Sequence, residues 1–474
     1  MPLCYTLLDF TERGISMRTF EKDLSKGSVG KQLWLFALPF IVSNLIQSLY
    51  SVVDMVIVGR YCGAESMVGV NVGGQITLLV TNLVIGLCAG GTTLIAQYMG
   101  SGRRKELKET IGTLLTTLVF LGVILTALMV FLRTPMLRLI KTPAEAFGEG
   151  NDYLLVTALG TVFIFGYNAL SAIMRGMGDS KNPLVFVAIA CVINIVLDYV
   201  LVAAFDMKAL GAAIATVFSQ AVSMVLCIIY LKRNKFIFDF SLSSFGLHKE
   251  RLKMLMKVGI PTSVQNVVVG MSFLFLTTLV NTMGVNEGAA LAVVAKFNSF
   301  AILPAIAMSA SIAAMSGQNL GAGEVERAVK TMRIGTIIGF CMSAVIFVVA
   351  QLFPEPILLI FDDTNPAMLA AGVEYIRAFT FDYLFASLMF GFNGLFIGSG
   401  HTTFTLFNNV LSSVLIRVPM AYLCGIVLDL GMFGVGLAAP ASSLVALILC
   451  IIFFKTGKWK KMVILKGEKQ GAEA

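Results

Sequence analysis

Apolar runs of about 20 residues, the length that crosses a bilayer as a helix, recur along nearly the whole chain, separated by short polar segments rich in Lys, Arg, Asp and Asn. The pattern predicts twelve spans, at 33–58, 67–99, 110–132, 153–174, 184–204 and 210–231, then 259–282, 289–318, 333–353, 375–397, 404–428 and 432–454. The second and eighth runs exceed the bilayer and are expected to protrude, tilt or bend at their glycines. Composition agrees with this reading. Of 474 residues, 57% are hydrophobic and 13% charged, about half the charged share of a soluble domain.

The two sets of six spans are copies of each other. "LPFIVSNLIQSLYSVVDMVIVG" from Leu38 pairs with "IPTSVQNVVVGMSFLFLTTLVN" from Ile260, and Gln97/Gln318, Gly100/Gly321 and Gly102/Gly323 are each 221 residues apart. Six helices per copy is an even number, so both copies run in the same sense. The expected fold is an all-α polytopic membrane protein of twelve transmembrane helices in two six-helix lobes. A pseudo-two-fold axis along the membrane normal relates the lobes, and a binding cavity is expected where they meet. The division reads 1–32 as an N-terminal segment, 33–231 as the N-lobe, 232–258 as the linker, 259–454 as the C-lobe and 455–474 as a basic tail.

Net charge is +8, which in a soluble chain would suggest nucleic acid; here it follows topology. Arg103, Arg104, Lys105 and Lys108 lie on the side of both termini. So do Lys232, Arg233, Lys235, Lys249, Arg251, Lys253 and Lys257, with Lys455, Lys458, Lys460, Lys461, Lys466 and Lys469 in the tail. The other side holds only Arg60, Arg133, Arg138, Lys141 and Lys208. The positive-inside rule places both termini in the cytoplasm. The eight cysteines are scattered, without a C-x-x-C pair, so neither a metal site nor a disulfide framework is indicated. The start lacks the order of a cleavable leader. Met17 is a second candidate start, leaving open whether residues 1–16 are translated.

Charges inside spans are costly, about 2.5–3.5 kcal/mol for an aspartate on the insertion scale. Asp54 lies near the outer end of the first span and Asp198 in the outer half of the fifth, at similar depth. Asn194 is one helical turn from Asp198; Asn168 and Thr216 lie in the fourth and sixth spans. Carboxylate, amide and hydroxyl oxygens suit a hard cation. They also suit a proton, since burial and a second carboxyl nearby favour the neutral acid. The plainer alternatives stay open: an interface aspartate, a hydrogen-bond hub, and polar glue between helices. In the C-lobe, Lys296, Asp382 and Arg417 count to similar depth and form either an ion pair or a substrate contact. Pro39 is expected to kink the first helix.

Taken together, "GLCAGGTTLIAQYMGSG", "RGMGDSKNP", "NIVLDY" and the echoed "GQNLGAG", with Pro39 fifteen residues before Asp54, make the chain resemble the MATE multidrug and toxin extrusion transporters over roughly residues 20–460. The resemblance implies a bacterial inner-membrane antiporter, not an enzyme, that exports amphipathic, mostly cationic compounds in exchange for inward H⁺ or Na⁺. Asp54, Asp198, Asn194, Asn168 and Thr216 match the coupling residues of its DinF-like branch, with a transient Na⁺ at Asp198 and no other metal. The implied partners are small organic substrates and membrane lipids, without cofactor or nucleic acid, and the chain is expected to act as a monomer. The seventh span, "PTSVQNVVVGMSF", lacks the acid of NorM-like members. A flippase for a lipid-linked or other large amphipathic substrate is the alternative. An ATP-driven pump is disfavoured, since no G-x-x-x-x-G-K-[ST] loop is present.

Overall fold

A computed structural model describes residues 21–234, 236–241, 244–360 and 365–462. Met17, Lys235, Lys466 and Lys469 lie outside the described residues. The expected spans are all present. They are α1 Val29–Gly63, α2 Glu65–Gly100, α3 Arg104–Leu139, α4 Ala144–Leu159 with Thr161–Gly176, α5 Lys181–Ala204 and α6 Lys208–Arg233. The second copy comprises α7 Lys249–Asn281, α8 Val285–Gly321, α9 Val325–Leu352, α10 Pro366–Gly398, α11 Thr402–Val427 and α12 Gly431–Lys455. Helical hydrogen bonds satisfy most backbone N–H and C=O groups within each span, as hydrocarbon demands. Large apolar side chains such as Phe131, Val192 and Val345 cover the outside of the bundle.

Where the helices break was only partly expected. α2 runs from Glu65 to Gly100 without interruption, so its glycines do not break it. α8 divides at Ile302, just before Pro304 rather than at a glycine, because proline supplies no N–H to the preceding turn. α4 bends by 50° at Gly160, and α10 divides at Thr380; neither break was expected. Pro39 keeps its place inside α1, whose one departure from helical backbone before α2 is Gly63, at φ 80°.

The lobes exchange their first helical turns. We call the end of the bundle that carries the α2–α3, α6–α7 and α8–α9 connections the basic face. There, Leu33, Phe36 and Ala37 of α1 pack with Met308, Ile312 and Met332 of α8 and α9. Reciprocally, Met254, Leu255 and Val258 of α7 join the N-lobe core with Leu94, Ile111 and Ile173. Both helices therefore start in one lobe and continue in the other.

The connection between the copies is shorter and better packed than the expected polar linker 232–258. α6 continues to Arg233, and α7 already begins at Lys249. Phe238 is fully buried between them, edge-on to Phe240 and Phe245. Asp239 accepts from the hydroxyls of Ser241 (3.0 Å) and Ser244 (2.5 Å). Those hydroxyls and the Ser241 N–H hold its carboxyl down at about 2, so this turn stays ionised across the physiological range.

Arg327 at the start of α9 plays the matching part for the N-terminal stretch. Its guanidinium donates to the carbonyls of Gly27 (2.8 Å), Leu24 (3.1 Å) and Lys26 (3.0 Å), and to the side chains of Gln32 (2.9 Å) and Asn319 (3.0 Å). Bonds from a charged donor contribute about 1.5–3 kcal/mol each, but less than additively when shared. Arg327→Ala is expected to lower stability by about 2–3 kcal/mol. Thermal unfolding of the purified protein in detergent checks this; an unchanged midpoint would show that the stretch is held by its apolar contacts alone.

Candidate coupling site and central cavity

α1 presents Asp54 from its last turns, toward the face opposite the basic one. α5 presents Asp198 at the point where its winding widens into the π-helical turn Tyr199–Ala204. Such turns favour unusual side-chain placement and recur at functional sites. Asp198 is fully buried and Asp54 is 9% exposed. Their carboxyls lie within hydrogen-bonding reach of each other. Asn194, with its amide nitrogen turned to the acid, donates to Asp198 Oδ2 at 3.1 Å and accepts from the Thr216 N–H at 3.3 Å. Among the described residues no donor reaches Asp54 Oδ1 or Asp198 Oδ1.

Of the five expected coupling residues, Asp54, Asp198, Asn194 and Thr216 are thus drawn into one cluster. Asn168 lies further along the cavity wall, its amide donating to the Ile164 carbonyl at 2.8 Å. No basic side chain is among the groups acting on either acid. Two carboxyls in this position cannot both be bare anions without strong repulsion. A proton or a small cation between them removes it. Among the described residues no three His, Cys, Asp or Glu side chains converge as a metal site.

Sequence reasoning missed the wall around this pair. Tyr50 and Tyr153 stand close enough to feel both carboxylates. Gln220, whose side-chain oxygen is buried without a donor, completes the wall with Gln47. Tyr50 is one turn before Asp54, and Gln220 one turn after Thr216, so helical spacing alone could have found them. Tyr153 carries no such signal, since its approach depends on how α4 packs.

These side chains line a cavity of about 690 Å³ among α1, α2, α4 and α6. A second space of about 310 Å³ adjoins it, sharing Asn44, Gln47, Ile85, Tyr167 and Asn168, and reaches α7, α8 and α10 of the C-lobe. The route stops at the basic face, where the lobes are sealed by a pair of equivalent contacts. Gln97 donates to the Gly398 carbonyl at 2.7 Å, and Gln318 donates to the Gly176 carbonyl at 3.1 Å. Beside them Gly100 lies against the Gln318 carbonyl and Gly321 against the Gln97 carbonyl. A Cβ at these glycines would fall 1.9 Å and 2.1 Å from those oxygens.

The C-lobe trio does not assemble as expected. Lys296 is exposed on α8. Asp382 and Arg417 are both buried and feel each other's charge, but among the described residues they form no direct ion pair. The Arg417 guanidinium instead turns to Ser442 Oγ at 3.3 Å and lies over the Phe273 ring at 4.8 Å. Asp382 sits beside Ser443. Arg417 Nη1 and Asp382 Oδ1 are left without partners among the described residues. Packing on α12 and α7 has separated the two charges that depth alone would have paired.

A polytopic bundle of two crossed repeats around a cavity closed at one face is the build of a membrane transporter. The MatE family model matches the chain twice, over residues 39–200 and 261–423, and the chain belongs to this family of multidrug efflux transporters. The chain is 30% identical over 440 residues to a probable multidrug resistance protein, YpnP, of Bacillus subtilis, covering 93% of this chain and 98% of that one. It is 27% identical over 456 residues to a probable multidrug resistance protein, NorM, of Thermotoga maritima, covering 93% and 95%. In fold it is similar to an outward-facing multidrug resistance MATE transporter of the MOP superfamily. There the TM-score is 0.87 at 22% identity, over 96% of this chain and all of the other. These relatives are transporters, and the chain is a transporter rather than an enzyme.

Proposed function

We propose that the chain is a secondary antiporter of the bacterial inner membrane that exports amphipathic compounds in exchange for inward H⁺ or Na⁺. The basic face is cytoplasmic in this reading, so the sealed end of the cavity is the cytoplasmic one. One observation carries the proposal: two buried carboxyls face each other, Asp54 in the wall of a substrate-sized cavity and Asp198 behind it, with no basic side chain to neutralise them. Taking up an ion there changes the charge and hydrogen bonding between α1 and α5. A change that favours one arrangement of these helices links ion state to access. Cavity and acids lie mainly in the N-lobe, so the ion and the cargo compete for, or rearrange, the same helices. A flippase holding a lipid diphosphate would call for several cations, whereas among the described lining residues only Arg175 is basic.

The direct test is export of two dyes, ethidium and a rhodamine free acid, from proteoliposomes under a pH gradient or a Na⁺ gradient imposed separately. One gradient is expected to drive export well above the rate without a gradient, and its collapse to remove the effect. Export indifferent to both gradients would overturn the antiport reading.

A further inference from the structure

The inner end of the same cavity carries a cation that coupling does not use. Arg175, near the end of α4, lines the space between the lobes. Its guanidinium lies over the Phe40 ring, 5.1 Å from the centroid. Its electrostatic neighbours are Tyr167, Cys88 and Cys227, none of them an acid. Among the described residues it makes no ion pair. Charged side chains inside a membrane protein almost always pair, and one that does not marks a substrate or ion path. The cavity around it is rich in hydrogen-bonding groups that lack protein partners. The hydroxyls of Ser43 and Ser171, which can donate, are buried without one, and both line this space. Hydroxyls and a guanidinium donate to an anion; the aromatic face of Phe40 flattens against a ring.

We propose that this end of the cavity binds an anionic group of the cargo, a carboxylate, sulfonate or phosphate, with Arg175 as its counter-ion. The exported compound is then a zwitterionic or anionic amphiphile. This differs from the simple cation that the family resemblance implies, and it rests on reading the cavity as the transport route. Asp54 lines one and Arg175 the other of two neighbouring spaces that share Asn44, Gln47, Ile85, Tyr167 and Asn168. A zwitterion fits that polarity: an ammonium finds the acid, and a carboxylate finds the arginine.

Cys88 lines the same space and feels the Arg175 charge, so it is a native reporter. In protein whose other cysteines are replaced by serine, Cys88 is treated with an anionic sulfonatoethyl or a cationic trimethylammonioethyl methanethiosulfonate. Arg175→Gln is expected to shift the ratio of the two rates by about tenfold toward the cation, given the strength of a nearby unit charge at low effective dielectric. Arg175→Lys is expected to keep most of the anion preference. An unchanged ratio, or no reaction with either reagent, overturns the proposal.

The unmutated protein supplies a second arm. Fluorescence polarisation compares a rhodamine free acid with its methyl ester, which lacks the carboxylate. Tighter binding of the free acid supports the site; equal or weaker binding than the ester, or no binding of either dye, counts against it. Asp54→Asn is expected to leave the preference for the acid in place. An intact preference in a protein indifferent to ion gradients would reject antiport alone; a lost preference in a gradient-driven protein would reject the anion site alone.

Discussion

Asp54→Asn is expected to reduce gradient-driven export by about a hundredfold, the upper range of typical coupling free energies, while the protein still folds and reaches the membrane. The substitution is close to isosteric. It removes the exchangeable proton and the negative charge but preserves a polar side chain at the cavity wall. The remaining carboxyl, Asp198, would face an amide rather than a second acid, so the repulsion that makes this site respond to ions would vanish. Asp198→Asn is expected to match it. Asp198 is the more deeply enclosed of the two and holds the Asn194 contact at 3.1 Å. The measurement is export per molecule in proteoliposomes, with thermal unfolding to establish intact folding. Wild-type export from both variants would remove the carboxyl pair from the mechanism.

The second large effect concerns the sealed face. Gly100→Val and Gly321→Val place branched side chains where even a Cβ would lie 1.9 Å and 2.1 Å from a main-chain oxygen of the opposite lobe. A backbone carbonyl in a packed helix cannot yield by more than a small amount. The sealed arrangement is therefore expected to lose at least about tenfold in population to one with the basic face parted. Spin labels at Lys105 and Glu326, both exposed at that face, would read the change as longer distances by double electron–electron resonance. Gly148→Ala, where nothing lies within 4 Å of the added atom, is the control. Unchanged distances in both valine variants would mean that the seal tolerates what its geometry forbids.

The spans, the repeat and the acids were legible because each leaves a local mark. A bilayer sets the length of an apolar run, and an aspartate in such a run stands out by its cost. The equivalent position to Asp54 in the second copy is Leu276, buried in the C-lobe core, so the acid belongs to one lobe's chemistry and not to the repeat. Breaks at Gly160 and Thr380 left no comparable mark, since what decides them is the helix packed against them. Lys296, Asp382 and Arg417 show the limit of counting depth. Depth fixes height in the membrane and says nothing of azimuth, and azimuth leaves Lys296 exposed while Asp382 and Arg417 are buried. Arg175 was readable as a residue of the "RGMGDSKNP" motif, but that it lacks an acid partner emerges only when every neighbouring helix is in place.

The exchange of first turns between the lobes constrains how such a molecule can move. α1 leaves the C-lobe core after Ala37, and α7 leaves the N-lobe core after Val258. Shortly beyond these points come Pro39 and Pro261, each inside its helix. At each proline the main chain lacks the hydrogen bond that would otherwise stiffen the crossing. The lobes are thus strapped together at two equivalent places, each with a proline just beyond the crossing. A crossing of this kind ties the lobes against drifting apart, so any opening of the basic face is expected to be a swing about the two straps, as of jaws sharing a doubled pin.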